Sequence, residues 1–285
     1  MDTHFEDMST RLFSPKLWRG FGAPTNMNPS GSSYQAPSGN PAFGFFDDFL
    51  TFQASSLEGP YLILETDGIA VEQVNCTAGA KGIVAITMDA GTQNDEGILQ
   101  WGRGLGAPFK LADKDLAFEC RFAVSAIATG KQTLALGLSV AGAGATNGLI
   151  ADGGAALTDT NFLGFVSLDP EGPDWDGAYK ADGQTYQDGD TKTKLDALAT
   201  FTASVTTYKK LGFRYRANPK TVEWYVNGAM PGGKITPARL TASECNADTF
   251  PDDVFLTPII GNLAGDASPA AHVTNIDWWA CAQYE

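Results

Sequence analysis

The chain has 285 residues, 43% of them hydrophobic and only 18% charged, which is enough apolar material for a buried core and excludes a disordered polymer. Its 19 Lys and Arg stand against 33 Asp and Glu, a formal charge of −14, so neither nucleic acid nor an anionic membrane surface is expected as a partner. Two histidines (His4, His272) and four cysteines without a Cys-x-x-Cys pair (Cys76, Cys120, Cys245, Cys281) argue against a histidine metal centre, a Ser-His-Asp triad, a zinc ribbon and a disulfide scaffold.

The N-terminal run MDTHFEDMSTRLFSPKLW has no basic start followed by an apolar stretch, so no secretory signal is expected. No run reaches the ~18 apolar residues of a membrane helix, and synthesis in a cytoplasm follows as the expectation. Residues 1–44 are punctuated by Pro15, Pro24, Pro29, Pro37 and Pro41 with interleaved glycines, and no helical or strand period survives. The same stretch carries Phe13, Leu17, Trp18, Phe21 and Tyr34. Spaced apolar side chains on a segment that cannot fold alone predict an extended arm that orders on a partner surface. The alternative is that it packs back on its own domain.

From residue 45 the pattern changes to short strands. Strands are predicted over 49–55, 61–66 and 82–88, and over 116–124, where Leu116, Phe118, Cys120, Phe122 and Val124 share one face and Ala117, Glu119, Arg121 and Ala123 share a wet one. Further strands are predicted at 133–140, 162–168, 210–217, 221–228, 254–260 and 272–284. Asn227-Gly228 after alternating hydrophobics signals a hairpin, and Asn218-Pro219 a second turn. Residues 193–201 are the one predicted short helix. Adjacent Trp278 and Trp279 should point to opposite faces, with Asp277 on the face of Trp279 as a paired surface carboxylate. Many short strands with glycine-rich turns predict an all-β antiparallel sandwich of jelly-roll type. Pairing early strands with the last would close a sheet and protect its edges.

Several stretches carry a resemblance. Asn94-Asp95-Glu96, Leu99-Gln100, Pro108-Phe109-Lys110 and Phe118-Glu119-Cys120-Arg121-Phe122 lie within a run, 92–125, that resembles tailed-phage virion proteins. The hairpin KKLGFRYRANPKTVEWYVNG (209–228), the opening FFDDF and the ending IDWWACAQ look like further parts of the same pattern, which spans 45–285. The resemblance implies a concanavalin A-like jelly roll over 45–285, preceded by the 1–44 arm. It implies a capsid decoration or cement protein on the outer surface of the phage head, synthesised in the host cytoplasm. The major capsid protein would be the partner, and a homo-oligomer, for instance a trimer about a local three-fold, would form on the shell. On that reading Phe13, Leu17, Trp18, Phe21 and Tyr34 enter apolar capsid pockets, and Arg11, Lys16 and Arg19 meet acidic groups. The alternative is a lectin-like virion module, on head or tail, that attaches to host surface glycans.

The same fold includes retaining glucanases, which place carboxylates as E-x-D-x-x-E on one strand. Glu65-Thr66-Asp67 comes nearest, but Ala70 stands where the second glutamate is needed, and Glu119 and Glu223 stand alone; no catalytic group is assigned and no enzyme is expected. Gly102-Arg103-Gly104 lacks the context of a phosphate loop and reads as a strand corner. The most function-like stretch is the acidic segment 169–190, read as a long loop. Asp174, Asp176, Asp188 and Asp190 are its candidate Ca²⁺ ligands, and Trp175, Tyr179 and Tyr186 its candidate glycan or protein contacts. The bland reading is a solvated loop that uses Asp and Gly to turn.

Overall fold

The computed structural model describes residues 13–14, 16–21, 31–36, 38–49, 60–65, 82–88, 94–102, 106–112, 114–126, 132–143, 145, 148–168, 173–189, 192, 194–231, 238–265 and 272–285. Its elements are all strands: β1 (Ser32–Gln35), β2 (Pro41–Asp47), β3 (Tyr61–Glu65), β4 (Val84–Thr87), β5 (Glu96–Trp101), β6 (Phe109–Lys110), β7 (Leu116–Val124) and β8 (Gln132–Ser139). They continue as β9 (Phe162–Ser167), β10 (Asp174–Lys180), β11 (Ala199–Thr200), β12 (Ser204–Ala217), β13 (Lys220–Val226), β14 (Arg239–Leu240), β15 (Phe255–Ala264) and β16 (Val273–Tyr284).

The strands form two antiparallel sheets. The first has the order β1-β2-β16-β7-β12-β13-β14, with β4 also on β16; the second has the order β11-β10-β9-β8-β15-β5-β3, with β6 on β15. The last strand, β16, sits between β2 and β7, so early and final chain pair as expected, but the sheet is not closed: among the described strands β1 and β14 are its edges. The expected boundary between residues 44 and 45 falls inside β2.

Period-two patterning puts aromatic side chains between the sheets. Phe45 stacks on Trp101 of the facing sheet at 4.4 Å between ring centroids, and Phe118 meets Phe213 at 5.4 Å. Trp224 crosses the core from β13 and donates its Nε1–H to the Gly164 carbonyl on β9 at 3.1 Å. That bond lets a buried indole fill the core without an orphaned donor. The Asn227-Gly228 turn forms as predicted, both residues at positive φ (49° and 81°), closing a Val226–Ala229 pair.

The structure corrects several expectations. Residues 194–201 form turns and the short β11 rather than a helix, with Ala197 at φ 47°. The acidic segment is not one loop, because Asp174–Lys180 is a strand inside the second sheet. Trp279 does enter the core while Trp278 faces outward, but Asp277 does not share the face of Trp279. The register shifts between Ile276 and Trp278, and this irregularity lets Asp277 pair with Arg121. Finally, the predicted wet face of β7 is not wet: Ala117, Glu119 and Ala123 are buried. The N-terminal segment covers the Glu119 region of that face.

Candidate functional site

The segment 13–21 forms a turn on the outer face of the first sheet. Phe13, Leu17, Trp18 and Phe21 are each at most 3% exposed there, in one apolar cluster with Phe46, Trp278, Ala280 and Tyr225. Phe13 meets Trp278 at 4.7 Å, and Phe21 stacks on Tyr284 at 4.4 Å. Glu119 is the socket. Its carboxylate accepts the Ser14 N–H (3.1 Å), the Ser14 hydroxyl and the Trp18 indole N–H (2.8 Å), while burial raises its pKa above the ordinary carboxylate range. Arg214 makes a second pin, donating to the Arg19 carbonyl at 2.6 Å with its guanidinium over the Phe21 ring.

These placements correct the reading of a free arm that orders on a partner. Phe13, Leu17, Trp18 and Phe21 are buried by their own chain, so they are not presented to capsid pockets. The physical reason is that the alanines of β7 and β16 leave a shallow apolar trough that these side chains fill. Tyr34 on β1 is half-buried against the same cluster, and Lys16 and Arg19 point to solvent. Arg11 lies outside the described residues.

The second predicted site is also rearranged. Trp175 and Tyr179 are inside the core, at 0% and 1% exposure, because β10 turns them between the sheets; neither offers a ring face to a ligand. Tyr186 is half-buried against the apolar cluster on the outer face of the second sheet. Asp174 is bonded by the Thr200 hydroxyl at the sheet edge. Asp176 accepts the Ala197 N–H at 2.7 Å; burial first, then the charges of Asp196 and Asp188, push its pKa up to about 7. Asp188 is buried nearby, and Asp190 lies outside the described residues. Among the described residues no three His, Cys, Asp or Glu side chains converge as metal ligands; of the candidate ligands, Asp174 and Asp176 are engaged by Thr200 and Ala197 instead.

The structure instead opens a cleft of about 430 Å³ at one end of the sandwich, between the start of β9, the turn after β10, and the β14–β15 connection. One wall carries Asn161, Asp182 and Gln184; the other carries Asn246, Asp248, Asp252 and Asp253. Phe250 also lines it, at 2% exposure, and rests on Tyr179 (5.7 Å) and Tyr215 (6.2 Å) of the core. Tyr179 therefore supports the cleft from below. The β14–β15 wall is held by local chemistry. The Glu244 carboxylate accepts the Thr241 N–H and hydroxyl, the Glu244 N–H returns to the Thr241 carbonyl, Lys194 pairs with Glu244, and Lys220 pairs with Asp252 at 2.8 Å. On the other wall Asn161 is 8% exposed, and its Oδ1 accepts the Asp182 N–H at 3.1 Å. Phe255, directly after the lining residue Val254, is 58% exposed.

Of the cleft's polar side chains only Asp182 and Gln184 fall within the acidic segment 169–190. A Thr-x-x-Glu pattern at 241–244 followed by Asn246, Asp248, Asp252 and Asp253 was the available signal. What it lacked was any hint that Asn161 and Asp182 stand opposite.

No protein-family model matches the sequence, and no curated protein matches it. Solved structures do match in shape. The Emp47p carbohydrate recognition domain is 12% identical, covering 83% of this chain and 93% of that one with a TM-score of 0.50. The potassium-bound Emp46p carbohydrate recognition domain is 13% identical, covering 82% and 94%, again with a TM-score of 0.50. A Lotus tetragonolobus seed lectin is 10% identical over 85% and 99%, with a TM-score of 0.48. At these identities the likeness concerns the fold: the protein is an all-β antiparallel sandwich of the concanavalin A-like type.

Proposed function

We propose that the chain is a carbohydrate-binding, lectin-like module that holds glycans in the end cleft without turning them over. One observation carries the reading: a cleft walled by amide and carboxylate side chains over a rigid aromatic base, at the end of a concanavalin A-like sandwich. Such side chains accept and donate to sugar hydroxyls, and the few polar groups fix orientation. Two of the solved structures with this fold are described as carbohydrate recognition domains, which supports the same reading. A virion location, with the module gripping host surface glycans, rests on the sequence resemblance at 92–125 and 209–228 alone. A shell-cementing role through the N-terminal arm loses its support, because the arm's apolar anchors are buried against their own sheet.

The test is a glycan array read with the full chain and with Asn246→Ala and Asp248→Ala variants. Binding to a defined glycan set, reduced by either change, is the expected result. An array on which no glycan is bound overturns the proposal, and release of new reducing ends from a bound oligosaccharide overturns its non-catalytic part.

A further inference from the structure

The first sheet ends on a strand without the usual guards. Among the described strands, β1 and β14 are the edges of the first sheet, and β11 and β3 those of the second. β11 and β14 are two residues long and β3 ends on Glu65, whereas β1 is Ser-Ser-Tyr-Gln. Charge and proline are what keep an open edge from pairing, and β1 has neither. The lack of charge extends beyond the strand: residues 20–46 contain no Asp, Glu, Lys, Arg or His, in a chain of formal charge −14.

The hairpin turn fixes which backbone groups this edge presents. The Ala36 N–H donates to the Asn40 carbonyl at 3.0 Å, so Tyr34↔Ala42 and Ser32↔Gly44, further along the same ladder, are the hydrogen-bonded pairs of β1 and β2. Ser33 and Gln35 alternate with them, and their N–H and C=O groups point away from β2. Among the described residues no hydrogen bond reaches those outward groups. Both residues are exposed, and with Tyr34, Gly39 and Pro41 they line an open groove of about 310 Å³ at this edge.

We propose that a second copy of the chain adds its own β1 to this edge, antiparallel, so that the first sheet runs on through a two-fold dimer. The edge is self-complementary in one register. Ser33 faces the second copy's Gln35, and Gln35 faces the second copy's Ser33, each pair exchanging both N–H···O=C bonds. The two Tyr34 residues then meet in the closer, non-bonded pair as an aromatic cross-strand contact. The missing charge matters because each copy carries −14, and here two copies meet without like charges opposed. The inference is independent of the carbohydrate-binding reading.

The test is sedimentation equilibrium of the full chain over a concentration series. Dimers and no larger species are expected, because two-fold pairing uses up the edge. Dimerisation should strengthen in about 0.5 M NaCl, where a Debye length of about 4 Å screens the repulsion between two acidic copies. The Ser33→Lys/Gln35→Lys and Ser33→Glu/Gln35→Glu double variants set like charges opposite each other, and each should weaken the dimer about tenfold. A mixture of the two should dimerise again, since every Lys then faces a Glu. Ser33→Pro deletes an outward N–H, leaves the β1–β2 bonds in place, and should also weaken the dimer. Circular dichroism of each variant checks that the sandwich is intact. A chain that is monomeric at every concentration, or trimeric, overturns the proposal. So does a dimer indifferent to both charge variants, or a mixture that stays monomeric. A dimer lost in Trp18→Ala but kept in the charge variants overturns it in favour of exchange of residues 13–21 between copies.

Discussion

Each sheet has irregular chain over its outer face, and in each case a buried glutamate accepts backbone N–H groups from the cover. Over the first sheet, Glu119 holds residues 13–21. Over the second, Glu96 accepts the N–H groups of Leu149 (2.9 Å) and Ile150 (3.0 Å) from the β8–β9 connection. Leu149, Ile150 and Leu157 of that connection pack on Ile98, Ile259 and Leu263. The two covers differ in how they are tied. The β8–β9 connection is fixed at both ends by adjacent strands that pair from Ser139↔Phe162 to Leu134↔Ser167, so its closure cost is met once the sheet forms. Residues 13–21 lie about a hundred positions from Glu119 and have their closest strand neighbour only at β1. They are held by the Glu119 and Arg214 anchors, by their packed side chains and by a backbone bond from the Ser38 N–H to the Gly20 carbonyl at 3.4 Å. The comparison teaches that similar anchors can serve covers with different chain connections: one is locked between paired strands, and the other is expected to detach as a strap.

The largest expected effect tests that difference directly. Glu96→Ala leaves two buried N–H groups without an acceptor in a loop that cannot leave, and should cost about 3–5 kcal/mol of global stability, read from the urea midpoint. An effect confined to the 141–160 loop, with no shift in midpoint, would erase the distinction. Next comes Trp18→Ala, which deletes a buried indole and its bond to Glu119. It should weaken strap docking by about 3 kcal/mol, seen as faster amide exchange at residues 16–21, while the sandwich unfolds at a nearly unchanged midpoint.

A smaller effect is expected from pH. With the strap seated, burial holds the Glu119 carboxyl above its ordinary range, and release returns it to water. The seated form therefore binds protons that the released form does not. Its hold is fully present below the ordinary carboxylate range and is lost as pH rises through the seated pKa. The Trp18 indole N–H resonance should report more seated strap in mild acid than at pH 8, and Glu119→Gln should flatten that dependence. Asp176, pushed up to about 7, gives the sandwich itself the same sign, with stability rising as pH falls from 8 towards 4, and Asp176→Asn should reduce that slope in denaturant titrations. Smallest is Tyr284→Phe, which removes an exposed bond from the Ser38 hydroxyl and keeps the stack on Phe21; about 0.5 kcal/mol in strap docking is expected by amide exchange.

Much of the fold was legible because strand periodicity is a local property. Leu116, Phe118, Cys120 and Phe122 alternate in the sequence and face one core in the structure. The Asn227-Gly228 turn needs only its own two residues at positive φ. The candidate site was mostly illegible. Asp-Trp-Asp-Gly reads locally as a turn, yet pairing with Phe162–Val166 draws it into the second sheet and buries Trp175. The polar face of β7 reads as solvated, yet a segment a hundred residues away covers Glu119.

By itself the sequence determined the class of the molecule, because alternation of apolar side chains dictates strands, and abundant strands with glycine-rich turns dictate a sandwich. It also determined the sign of the surface, through an excess of carboxylates. The tertiary structure decided which aromatic rings meet solvent, which glutamates become sockets, and that Asn161 and Asp182 stand across a cleft from Asn246, Asp248 and Asp253. Those outcomes depend on contacts between residues far apart in the chain, and no local pattern encodes which outer faces will be covered.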